Sequence, residues 1–359
     1  MCHNLLLAKL RAYGLNDDAL RFVQSYLTER QQRVKYNCKL SDWLPVQCGV
    51  PQGSLLGPLF FNIYMNDLNF AGQIASLRLY ADDTTTYRSH HDITFLEISL
   101  NHDIDILLSW LSRNYLMVNN IKSQAMMIGD IAYDPQFIIG DSRVELSNSL
   151  KILGVIIDDK LTFADHIQSV IKKVYAKIGA LRRLKKLMPV DVSLSLYKAY
   201  ILPHLEYCSP LLLGINKTLS SKLESVNKYA LKTLLNLGNS VDYNTILAKS
   251  NMTSLEHRRF YSSLVLLFKC MKWNGPEYIK NFFQLRESRY NLRNKGVNLV
   301  QSGYNNRFYH ISFTYKVSHL WNSLPRELKT ASKLSDFCCK LKTFDFSTLG
   351  PICKCNTCI

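Results

Sequence analysis

Apolar and polar positions follow two rhythms along this chain. Leu5, Leu6, Leu7 and Leu10 fall on one helical face that Gly14 ends, and the spacing predicts helices over 4–13 and 17–28. Residues 31–36 (QQRVKY) and 43–49 (WLPVQCG) predict strands. The turn-rich GVPQGSLLGP then leads into a predicted helix through LFFNIYMNDL. Leu77, Leu79 and Ala81 alternate ahead of Asp82 and Asp83, and Thr84–Thr86 keep β propensity, so 77–87 predicts strand, tight turn and strand. Leu96, Leu100, Ile104, Leu107 and Leu111 predict a helix over 94–112. Short strands are predicted near 125–129, 135–139 and 151–157. From 164 onward the rhythm is helical, over 164–187, 191–202, 219–236, 254–273, 311–321 and 333–343. Gly275 and Pro276 mark a break, 284–309 reads as a loop, and a domain boundary is placed near 165.

With 359 residues and 47% hydrophobic content, the chain can bury a sizeable core. No apolar run reaches the ~18 residues that span a bilayer. The start, MCHNLLLAKLRAYGL, lacks a charged leader and cleavage site, so the expectation is a protein neither secreted nor membrane-bound, in nucleus or cytoplasm. The formal net charge of +16 is unevenly spread. Residues 1–130 hold 11 basic and 12 acidic side chains, whereas 131–359 hold 33 and 16. A balanced front and a basic rear suggest a site followed by a polyanion-binding surface. The ten cysteines read as reduced thiols. Cys353, Cys355 and Cys358 crowd the tail, where three thiolates suit zinc but no fourth ligand follows; the expectation is a frayed end.

Two adjacent carboxylates, Asp82 and Asp83, sit in an otherwise apolar or hydroxylated run. A tight turn re-aims one or both of them. Either the pair is a solvated turn, or it holds a divalent cation, since buried carboxylates need compensation and hard metals take oxygen ligands. Farther on, HIQSVIKKVYAKIGALRRLKKLMPV (166–190) carries Lys172, Lys173, Lys177, Arg182, Arg183, Lys185 and Lys186 with no acid. Val170, Val174, Ile178, Leu181 and Leu184 give it an apolar stripe. Such a helix packs by one face and offers cations to a phosphate backbone, or to a membrane surface, or merely to water.

Context narrows these readings. LRLYADD resembles the Tyr-x-Asp-Asp metal-binding box of reverse transcriptases. GVPQGSLLGPLFFNIYMNDL (49–68), WLSRNYLMVNNIKSQAMMIG (110–129) and KILGVIIDDKLTFADHI (151–167) resemble the neighbouring motifs of the same family, in the same order. The resemblance is to non-LTR, jockey-like retrotransposon reverse transcriptases. It covers residues 1–190 and continues loosely to HLWNSLPRELKTASKLSDFCCKLKTF near the end.

The resemblance implies an α+β fold: a polymerase palm with an antiparallel sheet backed by helices, then a helical thumb and an all-α C-terminal region. The corresponding domains are 1–164 (partial palm), 165–240 (basic, thumb-like) and 241–359 (helical, role open). It implies RNA-directed DNA synthesis by two-metal nucleotidyl transfer, with Mg²⁺ (or Mn²⁺) held by Asp82 and supported by Asp83. The partners implied are an RNA template, a DNA primer and deoxynucleotide triphosphates. Gly49, Pro51, Gln52 and Gly53, with Lys122, would line the incoming nucleotide; Leu153, Gly154 and Val155 would support the primer end; the basic helix would grip the duplex. The family's first palm aspartate has no counterpart here: CHNLLLAKL matches the helix that follows it, and Asp17 and Asp18 read as helix-start acids. The expectation is therefore a truncated polymerase without its full metal site. A non-catalytic nucleic-acid-binding remnant and an inert decayed reading frame are the alternatives.

Overall fold

The computed structural model describes residues 1–129, 133–184, 188–238, 240–272, 275–286, 296–301 and 306–349. Contacts divide the chain into two compact units, Met1–Asn148 and Ser149–Ile359. The tail cysteines Cys353, Cys355 and Cys358 lie outside the described residues.

The first unit opens with α1 (His3–Ala12) and α2 (Asp17–Leu27). The Asn16 side chain caps α2 by accepting from Ala19 N–H at 2.9 Å. Asp17 and Asp18 occupy the first helical turn and pair with Arg11 and Arg21. The two predicted strands over 31–36 and 43–49 shrink to four two-residue strands: β1 (Gln31–Gln32), β2 (Lys35–Tyr36), β3 (Lys39–Leu40) and β4 (Leu44–Pro45). β1 pairs β4 and β2 pairs β3, all antiparallel and exposed. Val34, Tyr36 and Leu44 stay open to solvent, so no buried face extends the pairing.

The helix predicted after GVPQGSLLGP is α3 (Leu56–Met65), prolonged as a 3₁₀ turn over Asn66–Phe70. Leu6, Leu10, Leu20, Val23, Leu27, Phe60 and Tyr64 form one core between α1, α2 and α3. The hairpin β5 (Ser76–Tyr80) and β6 (Asp83–Tyr87) follows, then α4 (Ile93–Arg113), whose N-terminus Asp92 caps through Thr94 and Phe95 N–H. Met65, Leu68, Leu77 and Leu107 make a second core joining α3, β5 and α4. A small hairpin, β7 (Phe137–Ile139) and β8 (Ser142–Val144), closes the unit. The strand predicted near 125–129 reduces to a single bridge, Ala125 to Leu146.

The second unit begins with a hairpin, β9 (Ser149–Ile152) and β10 (Val155–Asp158), where one continuous strand was predicted. Leu153 and Gly154 turn the chain at φ +47° and +86°. Helices then dominate: α5 (Ala164–Leu184), α6 (Val190–Leu196), α7 (Leu202–Glu206), α8 (Lys217–Leu234), α9 (Tyr243–Ser250) and α10 (Leu255–Lys272). A π-helical turn, Tyr197–Ile201, joins α6 to α7. Pro203 lacks an N–H for the carbonyl one turn back, and the widened turn accommodates that loss. Val174, Ile178 and Leu181 of α5 pack with Leu223, Ala230 and Leu231 of α8 around the buried Tyr197. The Tyr197 hydroxyl donates to Asn227 Oδ1, and burial holds that phenol well above its usual titration range.

Gly275 marks the expected break because a Cβ there would sit 2.5 Å from Cys270 Cα. Short helices α11 (Glu277–Lys280), α12 (Arg307–Ile311), α13 (Phe313–Ser323), α14 (Arg326–Lys329) and α15 (Leu334–Lys342) complete the chain. Phe268 stacks on Phe337 with ring centroids 4.3 Å apart, beside the buried Trp321. The fold is mixed helix and strand, with every ladder an antiparallel pair among the described residues. No described helix is long and apolar enough to cross a membrane.

Candidate active site

The acidic pair sits where the alternation stops. Leu77 points inward against Met65, Leu68 and Leu107, which fixes the register of β5. Pairing runs from Ser76 opposite Tyr87 to Tyr80 opposite Asp83. Ala81 and Asp82 remain as a two-residue turn, and Asp83 is the first residue of β6. Ala81 has φ +52°, a left-handed conformation that costs an L-residue about 1–2 kcal/mol. Both carboxylates are exposed, so neither bears a desolvation cost, and both are open to a ligand from solvent.

The base of this hairpin is held by a residue that the sequence reading missed. Asp103 of α4 is fully buried. Its carboxylate accepts from Ile74 N–H at 2.9 Å and Ala75 N–H at 2.7 Å, just ahead of β5. Its Oδ2 also lies 3.8 Å from Arg88 Nη1, just past β6. One side chain thus ties the entry and the exit of the hairpin, leaving the tip unencumbered. The available signal was an acid on the buried face of α4, seven residues after Leu96 and four before Leu107.

The segment 49–53 is a turn entering α3. Gly49 and Gly53 have φ of +83° and +80°, with nothing within 4 Å of where a Cβ would lie. Pro51 O accepts from Ser54 N–H at 3.3 Å, and the Ser54 hydroxyl accepts from Gly57 N–H at 3.1 Å. At the other end, Gly49 N–H donates to Met1 O (2.8 Å), and Gly49 O lies 2.8 Å from His3 Nε2. Gln52 and Gly53 are exposed between these anchors. Lys122 ends an exposed 3₁₀ turn, Asn120–Lys122. The acidic hairpin and the 49–53 turn are linked through α3, whose start follows the turn and whose end packs on β5.

Leu153 and Gly154 form the exposed tip of the second hairpin instead of a buried strand; the buried member is Val155. Tyr207 donates its hydroxyl proton to Leu153 O at 2.6 Å and so pins that tip. At the far end, Asp158 accepts from Thr162 N–H (2.9 Å) and Phe163 N–H (2.6 Å), shaping the entry to α5. His166 is buried beside Ile156, and burial lowers its pKa.

Residues 2–157, from α1 through β10, match the family described as reverse transcriptase (RNA-dependent DNA polymerase). This segment belongs to the reverse transcriptase family. The chain is similar to the probable RNA-directed DNA polymerase from transposon X-element of Drosophila melanogaster, 28% identical over 197 residues that make 52% of this chain and 21% of that protein. It is similar to the RNA-directed DNA polymerase from mobile element jockey of Drosophila melanogaster, 24% identical over 196 residues, 52% of this chain and 21% of the relative. The jockey polymerase of Drosophila funebris is 26% identical over 216 residues, 57% of this chain and 24% of the relative. The chain therefore matches less than a quarter of the length of these relatives.

Within the reverse transcriptase segment, Asp82 and Asp83 have the oxygen chemistry that Mg²⁺ or Mn²⁺ prefers, and Mg²⁺ commonly takes only one or two protein carboxylates. Among the described residues, no group of three or more His, Cys, Asp or Glu side chains is placed to hold a metal. The donor set thus fits a divalent ion as a partial one.

Beyond the reverse transcriptase segment, α5 presents Lys172, Lys173, Arg182 and Arg183 to solvent. Lys177 is half-buried, with Nζ 3.4 Å from the centroid of the Tyr200 ring. Lys185 and Lys186 lie outside the described residues. The apolar stripe packs as expected through Val170, Val174, Ile178 and Leu181, but Leu184, at the last position of the helix, is 49% exposed.

Proposed function

We propose that this chain is part of an RNA-directed DNA polymerase, with residues 1–164 contributing palm, 165–240 a thumb-like region and 241–359 a further helical region. The observation that carries the reading is the display of Asp82 and Asp83 on the open turn of a base-anchored hairpin, inside a reverse transcriptase segment. In this reading Asp82 is the direct metal ligand and Asp83 the supporting one. When bound, the metal ions would stabilise the attacking and leaving oxygens of nucleotidyl transfer.

The chain's own residues have complementary tasks. The open backbone around Gly49 and Gly53 lets Pro51, Gln52 and Gly53 approach an incoming deoxynucleotide, with Lys122 toward its triphosphate. The Leu153–Gly154 turn supports the primer end. Lys172, Lys173, Arg182 and Arg183 contact the phosphates of the template–primer duplex, with affinity that falls as salt rises and depends little on sequence.

With two carboxylates in the metal site, the 359-residue chain is expected to bind template–primer and not to extend it. Filter binding across a salt series and primer extension on an RNA template with Mg²⁺ or Mn²⁺ test this together. Salt-dependent binding without extension supports the reading. Metal-dependent extension that disappears in Asp82→Ala keeps the active-site assignment and overturns the expectation of inactivity. Absence of duplex binding overturns the reading for this chain.

A further inference from the structure

Cys2 and Cys48 face each other across an antiparallel bridge that joins the start of α1 to the chain entering the 49–53 turn. Gly49 N–H donates to Met1 O at 2.8 Å, the bond that flanks a non-hydrogen-bonded antiparallel pair. Residues so paired have Cα atoms about 4.5 Å apart with side chains on the same face. Disulfides accept Cα separations of about 4.4–6.8 Å. Both thiols are free, Cys48 exposed and Cys2 partly so. The surroundings are already fixed: Cys2 N–H donates to the Tyr64 hydroxyl at 3.3 Å, and Cys2 O accepts from Leu6 N–H at 3.0 Å. Closing the bond therefore requires rotation about the two side chains with little movement of the backbone.

We propose that Cys2 and Cys48 are a redox modification site, forming a reversible disulfide that clamps the base of the 49–53 turn to α1. The reaction is thiol–disulfide exchange with a small disulfide such as oxidised glutathione. The Cys48 thiolate attacks the small disulfide, forming a mixed disulfide and expelling one thiolate. The Cys2 thiolate then attacks Cys48 Sγ and expels the second. Two protein thiols are oxidised, one small disulfide is reduced to two thiols, and the two protons pass to the expelled thiolates. Partly exposed disulfides of this kind fall in the labile, regulatory class. The bond fixes one of the two anchors of the turn covalently, while the other, Ser54 just ahead of α3, stays hydrogen-bonded to Gly57 N–H. The meaning of that restraint for nucleotide access rests on the function proposed above; formation of the bond does not.

The test is chemical and needs no nucleotide. The folded 359-residue chain is equilibrated with oxidised glutathione, blocked by alkylation and mapped by mass spectrometry of proteolytic peptides. The expected result is a peptide linking Cys2 to Cys48 that dominates all linked pairs, with other exposed thiols such as Cys38 recovered free or as mixed disulfides with glutathione. Cys48→Ser should leave Cys2 as a mixed disulfide with glutathione. In denaturant the preference should pass to sequence neighbours such as Cys338–Cys339 and Cys38–Cys48. Recovery of Cys2 and Cys48 as separately alkylated residues from the folded chain, or equal Cys2–Cys48 linkage in denaturant, would overturn the proposal.

Discussion

Two of the tight hairpins among the described residues, β5–β6 and β9–β10, are built alike and secured in opposite ways. β5–β6 and β9–β10 each close over two residues, and each places an L-residue, Ala81 or Leu153, in the left-handed region. In β9–β10 the second turn residue is Gly154, and the tip itself is pinned by the Tyr207 hydroxyl. In β5–β6 the second turn residue is Asp82, no hydrogen bond to the tip carboxylates is found among the described side chains, and the grip is at the base through Asp103. The turn proposed to meet a metal ion is steadied from behind. A turn whose carbonyl is already engaged can be steadied from the front.

The largest expected effect breaks the first grip. Asp103→Ala strands two backbone N–H groups and leaves Arg88 partly buried without its carboxylate, a loss of about 3 kcal/mol or more in the denaturant unfolding of the first unit. A change below about 1 kcal/mol would mean that water replaces the carboxylate and that the base is not the anchor. The second effect breaks the other grip. Tyr207→Phe removes one hydrogen bond to Leu153 O and should cost about 1 kcal/mol in the unfolding of the second unit, with no change in the first. The smallest effect compares the tips directly. Ala81→Gly relieves the left-handed alanine and should raise stability by about 0.5–1 kcal/mol, while a less rigid tip lowers metal affinity at Asp82 and Asp83. Mn²⁺ titration of both forms separates these outcomes; a stability loss in Ala81→Gly would show that the turn is not strained.

The sequence reading succeeded where a side-chain rhythm meets a core. The 77–87 hairpin was legible because Leu77 and Leu79 alternate up to the acids, and Leu77 does fill the core beside Leu107. The helices α1, α2, α4, α5, α8 and α10 were legible for the same reason. Failures cluster where the pattern lacks a partner surface. Residues 31–49 have β-prone side chains but nothing covers them, so pairing stays at two-residue stretches. Leu153–Gly154 was read as strand because apolar residues surround it, yet a Leu-Gly pair at positive φ makes a turn. The place of Asp82 and Asp83 at the tip of a hairpin was foreseeable from spacing, and their exposure was one of the two readings left open. The hold on them was not, because Asp103 is an acid on a face that periodicity reserves for apolar residues. Lys177 was read as free for phosphate, but its ammonium rests on Tyr200, a pairing across elements that no local pattern signals.

The pairing scheme also bears on how quickly the chain finds its shape. Each ladder joins strands that are neighbours in sequence, except β1 with β4, which merely encloses the β2–β3 hairpin. Strand pairing between chain neighbours avoids the slow search that distant strand pairing imposes, and single hairpins close in about 1–10 μs. The acidic turn can therefore take its geometry once α4, which carries Asp103 and Leu107, has left the ribosome, well before α10 or α13 has been synthesised.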